Sequence, residues 1–231
     1  VSNPLSLHSV TSIGQDTRPG KTDTWYYGTG EIQGNSARAP FAPFRGDGIF
    51  KSIDNGATWQ LLPSTAMGEA TFFNSQFQYV WRVITNPFNL TNDEVYAAIV
   101  GAIVKSTDGG ESWDYVLGEQ YESTDDLDLN TKNAANFTDL EITSGGVLYA
   151  AIGREALTGN DPNHGIYRSV DGDVWTRITP AGWPLQYSRV VVSSSNSNPN
   201  VVFFLINAGE DTQIWKYTYL SGNGTGAGGS W

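Results

Sequence analysis

Two stretches of this sequence are near copies of one another: KSIDNGATW at residues 51–59 and KSTDGGESW at residues 105–113. A third copy, RSVDGDVW, occupies residues 168–175, and SGNGTGAGGSW at residues 221–231 is a longer fourth copy with Asn223 in the aspartate position. The closing tryptophans are 54, 62 and 56 residues apart. This pitch is typical of β-propellers with loop insertions, because a four-stranded blade takes about 40–50 residues.

Each interval between the copies carries signals for four β-strands. The second strand of each set is rich in aromatic and β-branched residues, as in TWYYGTGE (24–31), EVYAAIVG (94–101), VLYAAIGRE (147–155) and NVVFFLINA (200–208). Strands such as VYAAIV are apolar on both faces, which predicts that they lie between two neighbouring sheets. The sequence therefore predicts an all-β protein, a β-propeller of four-stranded antiparallel blades near residues 8–63, 79–118, 137–180 and 187–231.

The repeated segment has the chemistry of a tight turn between the third and fourth strands. An aspartate carboxylate accepts hydrogen bonds from backbone N–H groups a few residues on, and glycine adopts positive φ at little cost. The tryptophan covers the turn with a large apolar ring. We therefore predict structural roles for Ser52, Asp54, Gly56, Trp59, Ser106, Asp108, Gly110, Trp113, Ser169, Asp171 and Trp175.

These segments resemble the Asp box, or BNR repeat, with the signature S-x-D-x-G-x-T-W, and residues 52–59 match it in full. The resemblance implies a propeller in which the boxes lie opposite the ligand-binding face. WYYGTGEIQGNS (25–36) and GDGIFKSIDNGATW (46–59) also resemble secreted Bacteroidetes-type BNR or glycosyl-hydrolase-like proteins, which often carry a type IX secretion sorting domain. That resemblance implies an extracellular or cell-surface location, with any signal sequence lying outside this chain.

The last copy predicts an incomplete fourth blade. Trp231 ends the chain where the final strand of that blade is expected to begin. Because propellers have roughly 4–8 blades, we expect a segment of a larger, about seven-bladed propeller whose remainder is a potential partner.

Composition excludes several classes of function. The formal net charge is −11, which argues against nucleic acid as a partner, because phosphate binding requires a basic face. The chain has no cysteine, so disulfides and thiolate metal sites are excluded. No apolar run approaches the roughly 20 residues of a membrane-spanning helix, and we expect no membrane insertion.

Candidate ligand-binding residues lie among the aromatic residues and the loops. Glu31 follows the second predicted strand, next to Trp25, Tyr26 and Tyr27, and a carboxyl group beside aromatic rings is a candidate general acid, although a glutamate bonded to the N–H groups of its own loop is the commoner arrangement. Rings that could stack on sugars are Trp25, Tyr27, Tyr121, Trp183 and Tyr187, while AGWP (181–184) also reads as a packed turn. Asp125, Asp126 and Asp128 could offer oxygens to Ca²⁺, or could simply form a solvated acidic loop.

No catalytic set is assigned from these residues, so we expect a non-catalytic propeller segment that binds a glycan or another protein, or serves as a scaffold. Two alternatives remain open. One is a glycoside hydrolase, sialidase-like or xyloglucanase-like, acting on extracellular glycans through paired carboxyl groups. The other is an assembly subunit that pairs through the open edges of its blades.

Overall fold

The computed structural model describes residues 9–36, 39–66, 75–120, 137–153, 163–185, 187–209 and 211–231, with backbone alone for residues 32–36 and 39–43. β-Strands form nearly all of the regular structure in these residues. Two single turns of 3-10 helix, Gln76–Gln78 and Gly226–Gly228, accompany them.

The strands form four four-stranded antiparallel sheets and one hairpin. The first sheet contains β1 (Val10–Gln15), β2 (Trp25–Thr29), β5 (Ile49–Ser52) and β6 (Gln60–Leu61), with the hairpin β3 (Glu31–Ser36) and β4 (Ala39–Phe44) inserted after β2. The second sheet contains β7 (Val80–Thr85), β8 (Val95–Ile99), β9 (Ala102–Ser106) and β10 (Asp114–Gly118). The third contains β11 (Phe137–Ile142), β12 (Leu148–Gly153), β13 (Gly165–Ser169) and β14 (Thr176–Arg177). The fourth contains β15 (Val190–Ser195), β16 (Asn198–Ala208), β17 (Asp211–Tyr219) and β18 (Gly229–Ser230).

In every four-stranded sheet, the strands pair in the order in which the chain presents them. Such meandering sheets are the blades of β-propellers, so the predicted fold class is confirmed. The strands β8 and β12 are buried along their whole length, as predicted for strands between two sheets. By contrast, β16 alternates between buried and exposed residues.

One expectation about an individual strand needs correction, and one segment holds strands that the four-strand pattern does not predict. Most of the segment 30–48 pairs as the β3–β4 hairpin. The fourth sheet was expected to lack its last strand, but β18 pairs with β17 through Thr218↔Ser230 and Tyr219↔Gly229. The last strand lies before Trp231 rather than after it, because the fourth turn is longer than the others and the new strand begins inside its glycine-rich end.

Within its described residues, the chain divides into two compact units. The first covers 9–100 and 104–114, and the second covers 101–103, 115–120 and 137–231. The first unit thus holds the first sheet and most of the second, and the second unit holds the third and fourth sheets.

In the first unit, β1 and β2 pack closely on β7. A Cβ at Gly28 would lie 2.5 Å from the Val80 side chain, so only glycine permits this approach. The backbone N–H of Val83 donates to the Ser12 hydroxyl at 3.0 Å, and the Tyr26 hydroxyl donates to the Gly109 carbonyl at 3.2 Å. Small residues and polar bonds therefore fix the distance between these two sheets.

In the second unit, an aromatic and aliphatic core joins the third sheet to the fourth. Tyr149 and Ala151 of β12 pack in one cluster with Phe204 of β16 and Tyr217 of β17. The Tyr149 and Tyr217 rings lie 5.8 Å apart in a tilted arrangement. Burial of these rings removes a large apolar area from water and gives this unit its core.

Candidate functional site

The repeated segments fold into turns that are closed by their own side chains. In the first turn, Asp54 Oδ1 accepts hydrogen bonds from the Thr58 N–H and from the Ser52 hydroxyl, both at 2.8 Å. The Thr58 hydroxyl donates to Asp54 Oδ2 at 2.5 Å. These bonds, led by that from the Thr58 hydroxyl, lower the pKa of Asp54 to about 2. Asp54 is therefore an ionised acceptor that holds the turn.

The second turn repeats this geometry around Asp108. Its carboxylate accepts from the Ser106 hydroxyl at 2.7 Å, from the Ser112 hydroxyl at 2.5 Å and from the Glu111 N–H at 2.9 Å. Burial raises the pKa of Asp108, but the bonds from Ser112 and Ser106 outweigh it and bring that pKa down to about 2. This aspartate also acts as a turn acceptor.

The third and fourth turns are closed by variants of the same hydrogen bonds. Asp171 accepts from the backbone N–H groups of Val174 and Asp173 at 2.9 and 3.0 Å, and these bonds lower its pKa. Asn223 Oδ1 accepts from the hydroxyl and the N–H of Thr225 at 2.8 and 3.1 Å. An amide oxygen thus replaces the carboxylate in the last turn.

The tryptophans of the four segments do not all occupy equivalent positions. Trp59, Trp113 and Trp175 each stand directly before the last strand of their sheet. The Trp113 indole donates to the Ser64 hydroxyl at 3.2 Å, and that of Trp175 donates to the Gly172 carbonyl at 3.2 Å. Trp231 instead follows β18, and its indole donates to the Ile178 carbonyl at 3.0 Å. The spacing of the repeats predicted that Trp231 belongs to the fourth turn. In the structure Trp231 instead packs in the core between the third and fourth sheets.

Glu31 and Trp25 lie at opposite ends of β2. Glu31 begins the hairpin that follows β2 and pairs with Phe44. Trp25 begins β2 and donates to Asn55 Oδ1 in the first turn at 3.0 Å. Because a strand rises about 3.3 Å per residue, six residues separate the two by about 20 Å. The expected grouping of Glu31 with Trp25 is therefore not formed.

Tyr27 belongs to a row of aromatic rings on one face of the first sheet. Its ring stacks on Phe50 with centroids 4.8 Å apart and lies 4.6 Å from the Trp59 ring. Burial among these rings raises the pKa of the Tyr27 hydroxyl. The rings are half-buried and packed on one another, so this row is a partly exposed apolar cluster.

Trp183 and Tyr187 are brought together, but inside the core of the second unit. They are 7% and 3% exposed, with ring centroids 5.6 Å apart in an edge-on contact. The Tyr187 hydroxyl donates to the Ile152 carbonyl at 3.1 Å, while the buried Trp183 indole N–H has no hydrogen-bond partner among the residues that the structure describes. Trp183 also contacts Trp215 and Trp231. This packing agrees with the packed-turn interpretation of AGWP, because neither ring presents an open face.

Carboxylates at the junctions between sheets were missed by the sequence reasoning. Asp139 Oδ2 accepts from the Val192 N–H at 2.8 Å, and Glu141 accepts from the Ser194 hydroxyl at 2.8 Å. The two acids alternate along FTDLEI, the sequence of β11, and so point to the same face. Two acidic residues on one face of an otherwise apolar strand were the sequence signal that could have revealed these bonds.

A second junction, in the first unit, is built around Arg18. Its guanidinium forms a two-pronged ion pair with Asp16, donates to the carbonyls of Asn89 and Asn92, and reaches Asp93 at 2.6 Å. Arg18 and Asp16 are almost completely buried. These bonds join the loop after β1 to the loop before β8.

The remaining candidates, Tyr121, Asp125, Asp126 and Asp128, lie outside the described residues, so the calcium site stays a prediction. Among the side chains that the structure does describe, no group of three or more His, Cys, Asp or Glu could hold a metal ion. A search of the described residues finds no helix long and apolar enough to cross a membrane.

Comparison with known proteins identifies the fold but no family. No family profile and no curated protein sequence matches this chain. Among solved structures, an ancestral GH74 enzyme is similar over 95% of this chain and 26% of its own, with 19% identity and a TM-score of 0.57. A GH74 enzyme from Niastella koreensis is similar over 94% of this chain and 37% of its own, with 17% identity and a TM-score of 0.52.

The chain thus spans between about a quarter and two fifths of the GH74 structures that it resembles. At these identities the likeness concerns the fold alone. The four sheets and these neighbours together show that the chain has the β-propeller fold of which GH74 glycoside hydrolases are also built.

Proposed function

We propose that this chain is a non-catalytic propeller segment of an extracellular or cell-surface bacterial protein, where it binds a glycan or another protein or acts as a scaffold. The observation that carries the proposal is how the chain uses its carboxylates. Glycoside hydrolysis requires two carboxyl groups facing each other across a cleft, one of them protonated. The best-defined carboxylates of this chain instead bind backbone and side-chain donors of their own turns and sheet junctions.

The pKa values support this proposal. Every Asp or Glu whose pKa departs clearly from its ordinary value, among the side chains described, has a lowered pKa; these are Asp54, Asp93, Glu94, Asp108 and Asp171. Burial raises the pKa of Glu94, but bonds from Asn86, Tyr96 and Asn89 outweigh it. A general acid needs the opposite shift, since it must be protonated near neutral pH.

The half-buried aromatic row of the first sheet is the best-placed binding surface for a glycan. Tyr27 and Trp25 share one face of β2, with Phe50 stacked beside Tyr27. Aromatic rings suit the apolar faces of sugar rings, and the Tyr27 hydroxyl offers a polar contact at the edge of the row. The formal charge of −11 favours a neutral rather than an anionic glycan.

The alternative that a specific observation favours is glycoside hydrolysis, because the GH74 structures share the fold. Under this alternative Glu31 is the candidate acid. The resemblance to Asp-box proteins fits both hypotheses, since the boxes themselves serve as turns. A calcium site at Asp125, Asp126 and Asp128, a sorting domain for type IX secretion, and pairing through open sheet edges are further proposals that need their own tests.

The test measures hydrolysis of a panel of polysaccharides, with release of reducing sugars as the readout. We compare the chain with Glu31→Gln and with Glu111→Gln, an exposed glutamate in the second turn that serves as the matched control. Our proposal predicts no turnover by any of the three proteins, and retention of a glycan on an array would identify a glycan rather than a protein as the ligand. Turnover by the unchanged chain and by Glu111→Gln, lost in a folded Glu31→Gln protein, would establish the hydrolase and overturn the proposal.

A further inference from the structure

The fourth turn has an asparagine where the other three repeated turns have an aspartate. In each of the first three turns the aspartate lies two residues after the turn serine, and in the fourth turn Asn223 lies two residues after Ser221. Gly224 follows Asn223 directly. A glycine at this position leaves its main-chain nitrogen open to approach the asparagine side chain, because glycine has no Cβ and rotates freely about its backbone bonds. Asn223 is also exposed, so water can reach its amide group.

The hydrogen-bond donors around Asn223 are of the kind that stabilises a carboxylate in the first turn. Asn223 Oδ1 accepts from the Thr225 hydroxyl and from the Thr225 N–H, at 2.8 and 3.1 Å. The Asp54 carboxylate accepts from the same two groups of Thr58, and these bonds lower its pKa to about 2. Such donors therefore favour negative charge on the oxygen atoms that they bind. At Asn223 they are directed at an amide oxygen, where charge develops when a nucleophile attacks the amide carbon.

A second Asn-Gly pair, Asn55 and Gly56 in the first turn, has different surroundings. The Asn55 backbone is in the left-handed conformation, with a φ of 57°. Its N–H donates to the Asp23 carbonyl at 2.9 Å, and its Oδ1 accepts from the Trp25 indole at 3.0 Å. Asn55 is therefore anchored to β2 and to the loop before it. Both bonds oppose the movement that would bring the Gly56 nitrogen to the Asn55 amide carbon.

The bonds around Asn223 allow the corresponding movement. Thr225, which donates to Asn223, and the Ser221 carbonyl, which accepts from the Gly224 N–H at 3.1 Å, both belong to the fourth turn itself. The Tyr217 hydroxyl donates to the Gly224 carbonyl at 2.6 Å, but a glycine can rotate its nitrogen while its carbonyl stays bound. The Gly224 nitrogen can therefore approach the Asn223 amide carbon without breaking a bond to another strand.

We propose that Asn223 is a self-modifying site that is converted to aspartate after synthesis, so that the fourth turn acquires the carboxylate that the other three turns have in their sequence. The conversion needs only water. It does not depend on whether the chain binds glycans or hydrolyses them, so this proposal and the proposed function can fail separately. Of the two Asn-Gly pairs, the one in the first turn should remain an amide for longer.

The reaction has two steps. The Gly224 nitrogen forms a bond to the Asn223 amide carbon Cγ, the Cγ–Nδ2 bond breaks, and Nδ2 leaves as ammonia with its own two protons and the proton lost by the Gly224 nitrogen. Water then opens the five-membered imide: cleavage of the bond to Cγ gives aspartate, and cleavage at the main-chain carbonyl gives isoaspartate. Because the Thr225 donors polarise the Cγ carbonyl, attack of water at Cγ is favoured and aspartate is the expected product. Water is consumed and ammonia is released, and nothing is oxidised or reduced.

Peptide mass mapping of the folded chain, incubated at neutral to mildly alkaline pH, follows both Asn-Gly pairs in one sample. We expect the change from amide to acid to be at least about tenfold faster at Asn223 than at Asn55, a difference of about 1.4 kcal/mol in activation free energy. In urea the two sites lose their surroundings and should convert at similar rates. Equal rates in the folded chain would overturn the proposal, and so would an Asn223 amide that outlasts the same amide in the unfolded chain.

Two substitutions of Thr225 test the role of its hydroxyl. Thr225→Val keeps the shape of the side chain and the backbone N–H but removes the hydroxyl donor, and it should slow conversion of Asn223 about tenfold. Thr225→Ser keeps the hydroxyl and should convert at the rate of the unchanged chain. Conversion of Asn55 in the same samples is the matched control and should not change. Conversion of Asn223 in Thr225→Val at the unchanged rate would refute the proposed role of the fourth turn.

The variant Asn223→Asp carries the expected product from the start. On anion exchange the converted chain should elute with Asn223→Asp, because both carry one negative charge more than the −11 of the unconverted chain. The urea midpoint of Asn223→Asp should be no lower than that of the unchanged chain, because the Thr225 bonds become charge-assisted. A lower midpoint, or a folded chain that accumulates isoaspartate alone, would contradict the inference that conversion completes the turn.

Discussion

Replacing Arg18 with methionine should destabilise the first unit more than the loss of an exposed charge does. The Arg18 and Asp16 side chains are 6% and 4% exposed and are joined by two hydrogen bonds of 2.9 and 2.6 Å. Hydrogen bonding to Asp16 raises the pKa of Arg18, so the guanidinium is charged at every practical pH. Methionine would leave a buried carboxylate without its counter-charge and two loop carbonyls without their donor.

Breaking a buried ion pair on one side costs about 3–5 kcal/mol. The lower end applies here, because Asp93, the other acidic partner, is 39% exposed and regains water when Arg18 is removed. We therefore expect a loss of about 3 kcal/mol in the free energy of unfolding of the first unit. In the double variant Asp16→Asn, Arg18→Met no charge is left unpaired, and part of this loss should be recovered.

Lys21→Met is the matched control. The Lys21 ammonium also pairs with Asp93, at 3.0 Å, but it is 46% exposed, so its removal should cost less than about 1 kcal/mol. Urea unfolding followed by tryptophan fluorescence measures both variants, with the midpoint and slope fitted for each transition. Equal effects of Arg18→Met and Lys21→Met would refute the view that burial makes the Arg18 junction strong.

Two further predictions concern the second turn. The pKa of Asp108 is about 2 in the folded chain and about 4 when unfolded, so its carboxylate contributes stability above pH 4 that is lost as the pH falls toward 2. The difference in unfolding free energy between the unchanged chain and Asp108→Asn should therefore become smaller as the pH is lowered from about 4 to about 2. Urea titrations at a series of pH values measure this difference, and a difference that stays constant would contradict the prediction. Gly110→Ala should cost about 2 kcal/mol, because Gly110 has a φ of 99° and a Cβ there would lie 2.5 Å from Leu62. Gly20→Ala, with a φ of 80° and open space around it, should cost about 1 kcal/mol when both variants are measured by urea unfolding, and equal losses would exclude the steric contribution.

The turns and the strands could be predicted from the sequence because the interactions that form them are local. Asp54 bonds to residues two and four positions away, so its partners lie within the motif itself. Strand pairing follows from such turns, because each turn fixes the register of the two strands that it joins. The substitution of Asn223 for aspartate was tolerated because an amide oxygen also accepts from the following N–H.

The roles of side chains whose partners are distant in the sequence could not be predicted. Trp183 looks like a platform or a packed turn until its contacts with Trp215 and Trp231, 32 and 48 residues later, are known. Arg18 finds Asp93 at a separation of 75 residues. Glu31 is near Trp25 in sequence, but an extended strand carries near neighbours to opposite ends of a sheet. The sequence therefore predicted elements better than sites.

The residue that precedes the serine of each repeated turn is different in the fourth sheet. Lys51, Lys105 and Arg168 hold this position in the first three turns, whereas Leu220, 59% exposed, holds it in the fourth. The Lys51 ammonium donates to the Gly109 carbonyl of the next turn at 2.9 Å, so this cation helps to join the first sheet to the second. Leucine cannot donate such a bond, so the fourth turn does not carry the cation with which the first turn bonds to the turn of the following sheet.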